Sequence, residues 1–328
     1  MVKKKEVALV CFVLLALFLA GCRARQEVEP DATEKIYKGT DGLVMTFLKD
    51  NPPDKLWDTS TLDIIVGLAN KGTSDLSGTR CALYLSGYDK DIIRGLPQAA
   101  QCGLLEPKSS LNPEGSYTTV EFSTDHPMIL SEGIDSLDQG FMVTACYEYE
   151  TNAKVSVCID PHLYDIGPVD RVCNVRDVTL TGGQGAPVSV DKVEVNMAEN
   201  KVLFKIRVSN KGGAVVKKSI FSSGKTQAVG QQGVVFDYDA SLGNCPGSLD
   251  PRDYNLVSYV VEMGGVQGAC KPQRNGLNKV PLVDNKGIIY CTFSVSPADL
   301  AHTKVLSINL FYNYMDSIIK EVTIWRTP

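Results

Sequence analysis

The sequence predicts an all-β protein made of two tandem sandwiches, and three observations carry that prediction. Apolar residues alternate or run together over strand lengths, as in Leu62-Asp63-Ile64-Ile65-Val66-Gly67-Leu68 and Val202-Leu203-Phe204-Lys205-Ile206-Arg207-Val208. A period of two residues puts such side chains on one face of a strand. Clusters of turn formers such as Asn51-Pro52-Pro53-Asp54 and Gly182-Gly183-Gln184-Gly185 separate these runs, which is the punctuation of short strands in a sandwich. Finally, the plan occurs twice. No long segment of helical period follows residue 22, and Pro297 to Lys304 offers at most one short helix.

From the N-terminus, Lys3, Lys4 and Lys5 precede an almost unbroken apolar stretch from Val7 to Ala20. A basic start, an apolar run and small residues at its end make a secretory signal segment. The run is about 15 residues long, short of the roughly 20 that span a bilayer as a helix. Leu19-Ala20-Gly21-Cys22 closes it and resembles the lipobox of prokaryotic lipoproteins. That resemblance implies cleavage before Cys22, acylation of its thiol, and an extracytoplasmic protein tethered to membrane lipid. The alternatives are a plain cleaved signal, which would release a soluble protein, and an uncleaved transmembrane helix. Cys11 lies inside the apolar run and is assigned no role. Residues 1–22 are thus read as the signal, and residues 23–40, polar and mixed in charge, as a flexible tether reaching roughly 20–25 Å.

The repeat divides the remainder into residues 41–167 and 168–328. Strand 62–69 ends in Asn70-Lys71-Gly72 and strand 202–209 in Asn210-Lys211-Gly212. Each half then closes with a Tyr-x-Tyr (Tyr147/Tyr149 and Tyr312/Tyr314), a polar stretch read as a turn, and a second alternating strand. The two offsets, 140 and 165 residues, place extra loop in the second copy, within Phe221 to Asn275. A strand followed by Asn-x-Gly and another apolar strand is similar to CARDB-type and related immunoglobulin-like domains of archaeal and bacterial surface proteins. The stretches Gly182 to Val188 and Leu282 to Cys291 likewise look like surface proteins of small-genome archaea. The resemblance implies immunoglobulin-like sandwiches with an adhesive or structural role, and it supplies no catalytic residue.

Of ten cysteines, eight remain once Cys11 and Cys22 are set aside. No two are spaced as Cys-x-x-Cys and the chain has three His, so disulfides are expected rather than zinc. If Thr151-Asn152-Ala153 is a hairpin turn, Cys146 and Cys158 stand opposite each other on its solvent face, and a Cys146–Cys158 bridge follows. Cys81–Cys102 is the expected pair in the first half, with Cys173–Cys245 and Cys270–Cys291 in the second.

Without the first 22 residues the chain has 30 basic and 37 acidic residues. That balance and the lack of a basic stripe argue against a nucleic-acid partner. No Asn-x-Ser/Thr sequon occurs. Gly224-Lys225-Thr226 has the tail of a phosphate-binding loop, but Ser219 stands where its first Gly is needed. Asp237 to Asn244 alternates oxygen ligands as Ca²⁺ prefers, but Leu242 and Ser248 break the EF-hand pattern, and an ordinary polar loop is the competing account. His126, His162 and His302 belong to no His-Glu-x-x-His motif, and no Gly-x-Ser-x-Gly is present; they read as surface residues. Tyr147, Tyr149, Tyr312 and Tyr314 are candidates for a binding face, although their parity matches the apolar side. No metal or cofactor is expected. The sequence thus reads as a non-catalytic binding, adhesion or structural module of the envelope, with an envelope protein or glycan as partner. A solute- or glycan-binding lipoprotein serving a membrane machine is the alternative, with an envelope hydrolase behind it.

Overall fold

The computed structural model describes residues 36–166, 171–198, 200–212 and 233–328. Cys22, most of the tether and the Gly224-Lys225-Thr226 loop lie outside the described residues. The first half supplies β1 (Leu43–Phe47), β2 (Lys55–Trp57), β3 (Leu62–Asn70), β4 (Cys81–Ser86), β5 (Ala99–Gln101), β6 (Tyr117–Thr124) and β7 (Ser136–Ile159). The second begins with β8 (Val178–Thr179), β9 (Val188–Ala198), β10 (Lys201–Asn210), β11 (Val234–Phe236) and β12 (Leu256–Met263). It continues with β13 (Val266–Gln267), β14 (Ala269–Lys271), β15 (Gln273–Arg274), β16 (Leu277–Pro281), β17 (Lys286–Ser294) and β18 (His302–Trp325). The described chain is therefore all-β.

Three strands form one sheet in the order β1-β3-β6, and five form another in the order β14-β17-β10-β9-β8. A ten-stranded sheet follows the path β15-β16-β12-β18-β7-β4-β5, with β11 and β2 added along β18 and β13 on β12. One apolar core joins the inward faces of all three: Leu62, Ile64, Val66 and Leu68 of β3, Val202, Phe204, Ile206 and Val208 of β10, and the apolar odd-numbered residues of β7 from Phe141 to Ile159. β1 packs on β18, and β9 on β7.

Pairing repeats between the halves. β1-β3-β6 matches β9-β10-β17, and β5-β4-β7 matches β16-β12-β18. Leu43 opposes Asn70 where Val188 opposes Asn210, and Ala82 opposes Cys146 where Ser258 opposes Phe311. The copies meet along β7 and β18, which run antiparallel and stay paired from His302↔Ile159 to Trp325↔Ser136. Tyr147 faces Tyr314 and Tyr149 faces Tyr312. An approximate two-fold relation therefore passes through the Glu148↔Asn313 pair.

This ladder corrects two expectations. Thr151-Asn152-Ala153 is not a turn: it continues β7, opposite Leu310, Asn309 and Ile308. The closing stretch of the second half is likewise one straight strand. Parity was blind to the difference, because folding about a single residue leaves the same odd-numbered side chains inward as running straight does. Residues 33–328 form one compact unit, within which the stretches 41–167 and 168–328 share this ladder. The tether is also shorter than expected. Ile36 is buried, Gly39 donates to the Gly182 carbonyl at 2.6 Å, and Gly185 donates back to the Gly39 carbonyl at 3.0 Å.

The straight strand also rearranges the cysteines. Twelve residues of β7 separate Cys146 from Cys158, about 40 Å at roughly 3.3 Å per residue, so the expected Cys146–Cys158 bridge is impossible. Cys146 pairs with Cys245 instead, and Cys158 with Cys173, which removes the expected Cys173–Cys245 bridge too. Cys81–Cys102 and Cys270–Cys291 complete the set, the latter directly across β14 and β17. Cys146 sits on the outer face of the ten-stranded sheet, yet it is fully buried. Phe236, Cys245 and Leu249 cover it in a second, smaller core with Tyr84 and Met315. That covering layer lies within the stretch 221–275, where the unequal offsets place extra loop.

Candidate functional site

Four tyrosines occupy the junction of the halves, and all four are at most 1% exposed. Their rings form a closed circuit: Tyr147–Tyr314, Tyr149–Tyr312, Tyr147–Tyr149 and Tyr312–Tyr314, with centroids 5.6–6.3 Å apart, within the range of favourable aromatic pairs. Each hydroxyl is satisfied, and the bonds echo between copies. Leu43 N–H donates to the Tyr147 hydroxyl (3.4 Å) and Val188 N–H to that of Tyr312 (3.1 Å). Thr73 N–H donates to Tyr149 (3.0 Å), while Tyr314 donates to Asn210 Oδ1 (3.1 Å). Burial raises the pKa of all four phenols.

Here the repeated Asn-Lys-Gly finds its reason. Asn70 Oδ1 accepts from Gly72 N–H and Asn210 Oδ1 from Gly212 N–H, so each side chain shapes its own turn. A Cβ on Gly72 would lie 1.6 Å from the Tyr149 hydroxyl, and one on Gly212 2.7 Å from that of Tyr314. The tyrosines are therefore the keystone of the fold and not an open binding face.

Thr151 and Asp316 hold matching positions beside this cluster. Thr151 Oγ1 donates to the Val188 carbonyl at 2.7 Å and lies 3.0 Å from the Tyr312 hydroxyl. Asp316 puts a carboxyl at the corresponding place, near Tyr147, Tyr314 and Asp41. Burial pushes its pKa up to about 6, Asp41 adds to the rise, and the Ser317 N–H partly offsets it. The folded protein therefore holds this proton more tightly than the unfolded chain does. The resulting stability is fully present below pH 3.8 and is lost as pH rises through about 6. The size is about 3 kcal/mol at 1.36 kcal/mol per pKa unit. Asp316→Asn should raise the melting temperature at pH 7–8 and flatten its fall between pH 4 and 7. Equal slopes for the two proteins would exclude Asp316 as the source.

The loop after β11, with its calcium-like pattern, is occupied from within. Lys279 of β16 has a side chain only 7% exposed. Its Nζ lies 2.7 and 2.5 Å from the two carboxylate oxygens of Asp237 and 2.6 Å from Asp239 Oδ2. Burial works to lower the Lys279 pKa, but the hydrogen bonds and charges of both aspartates raise it overall. Asn313, at the two-fold position, fixes the loop by donating to the carbonyls of Asp237 (2.9 Å), Tyr238 (3.3 Å) and Ala240 (2.9 Å). An ammonium thus stands where a cation would. Among the described residues no group of three or more His, Cys, Asp and Glu is placed to hold a metal.

The histidines lie at separate places. His126 lines a shallow cavity with Asp63, Ser123 and Asp125, His162 Nδ1 is 2.8 Å from Asp165, and His302 Nδ1 is 2.8 Å from the Leu300 carbonyl. One surface feature escaped the sequence reading. Trp57 and Trp325 are neighbours on the parallel pair β2–β18, 50% and 39% exposed, with Lys55 Nζ 5.8 Å from the Trp325 ring centre. They are the only two tryptophans of the chain, and that scarcity was the available signal. Flat apolar rings beside a cation suit contact with a partner better than solvent. No protein-family model matches the chain, and no curated protein matches it.

Proposed function

We propose that this is a lipid-anchored extracytoplasmic protein that acts without catalysis as a binding, adhesion or structural module of the cell envelope. Its two halves are read as tandem immunoglobulin-like sandwiches fused along β7 and β18, held to membrane lipid through acylated Cys22. The observation that carries the reading is the cysteine usage: all eight described cysteines are in disulfides. Such density belongs to oxidising compartments outside the cytosol, which agrees with the export segment ending at Cys22. Trp57 and Trp325 supply an exposed aromatic surface for an envelope protein or glycan.

The test begins at the anchor. In an expressing prokaryote, Cys22→Ser should shift the protein from the membrane fraction to the soluble fraction or stall its processing. An intact mass with an unmodified N-terminus at a residue other than Cys22 would refute the reading.

A further inference from the structure

We propose that Lys279 and Asp237 are the partners of an intramolecular isopeptide bond, formed with Asp239 as the proton carrier. Three observations converge on it. The amine nitrogen touches both oxygens of the Asp237 carboxylate, at 2.7 and 2.5 Å, so it stands beside the carboxyl carbon it would attack. Both reacting side chains are withdrawn from water, at 7% and 10% exposure. A second carboxylate, Asp239, lies 2.6 Å from the same nitrogen and is 59% exposed, open to exchange protons with solvent.

Among the described residues, other close pairs lack one of these elements. Lys320 is as buried as Lys279, but Asp54, which it meets at 2.9 Å, is 68% exposed. Lys211 meets Asp191 at the surface. Asp160 is buried against Arg171, whose guanidinium is not a useful nucleophile.

The chemistry balances without an added reagent. Lys279 Nζ passes a proton to Asp239, and the neutral amine adds to the carboxyl carbon of Asp237. The tetrahedral intermediate loses one Asp237 oxygen, which leaves as water carrying the two protons given up by Nζ. An ammonium and a carboxylate become one amide and one water, with no change of oxidation state. Fixed juxtaposition supplies the entropic part of the barrier. The product also removes two charges from a site where keeping them costs desolvation energy. The bond would tie the start of the layer covering Cys146 to β16, clamping it from the opposite side to Cys146–Cys245.

Mass spectrometry of the purified full-length protein decides the matter. After reduction and digestion, the peptide holding Asp237 should be joined to that holding Lys279, about 18 Da lighter than the two together. Lys279→Arg should release the two peptides and slow migration of the reduced chain on a denaturing gel. Asp239→Asn keeps both bonding partners and should leave most of the chain unlinked. Unlinked Asp237 and Lys279 peptides from the natural protein would overturn the proposal, even with water lost elsewhere. Full cross-linking in Asp239→Asn would overturn the role given to Asp239.

Discussion

Fragments spanning 41–165 and 169–328, each expressed alone, should fail to melt cooperatively and should regain a cooperative melt when mixed. The reason is the ladder between β7 and β18, which pairs 24 residues on each strand. At roughly 0.2–1 kcal/mol per favourable cross-strand pair, its loss is comparable with the about 5–15 kcal/mol that holds a whole domain. Each fragment would also present a long unpaired strand edge, which invites aggregation. The inward residues Val155, Val157 and Ile159 of β7 and Ile318, Val322 and Ile324 of β18 would lose their cover from the other half. Circular dichroism melts under oxidising conditions, singly and after mixing, are the measurement. Two fragments that each melt sharply at the full-chain temperature would show the ladder to be dispensable.

Replacing Cys146 and Cys245 together with alanine should lower stability by about 4–5 kcal/mol in the chain-entropy account, because the bridge closes a loop of 99 residues. The matching pair at Cys158 and Cys173 closes only 15, for which the same account gives about 3 kcal/mol. The ordering is the useful part. Urea unfolding of the two double variants should rank the first as the weaker, with faster proteolysis around residues 237–255. A Cys146/Cys245 variant as stable as the natural chain would mean that Phe236, Leu249 and Tyr84 hold the covering layer unaided.

Strand existence and facing were legible in the sequence. Leu62 to Ala69 and Val202 to Ser209 lie in β3 and β10, and the odd parity of Val143, Ala145, Tyr147, Val155, Val157 and Ile159 points into the core. Local pattern records which face a residue takes but not whether a chain turns back or runs on, so it fits Asn152 equally well as a hairpin tip and as the mid-strand residue it is. It records burial only against the face that a strand's own alternation defines. Cys146 shares its side of β7 with Thr144 and Glu148, a polar set that announces solvent. The layer that buries it comes from a segment about 100 residues later. The same long range hid the Lys279 cluster, since Asp237 and Asp239 show a cation-like spacing but not which cation answers it. Trp57 and Trp325 meet only because β2 pairs with the far end of β18.

The two-fold ladder matters most for a protein present in few copies. The same seam between two separate chains would hold only above a threshold abundance, because dimer stability is inseparable from protomer concentration. Within one polypeptide each half always finds its counterpart, at an effective concentration of the millimolar order that a short covalent connection provides. Its fold is thereby independent of copy number, so a single molecule far from its neighbours is as well assembled as one in a crowd.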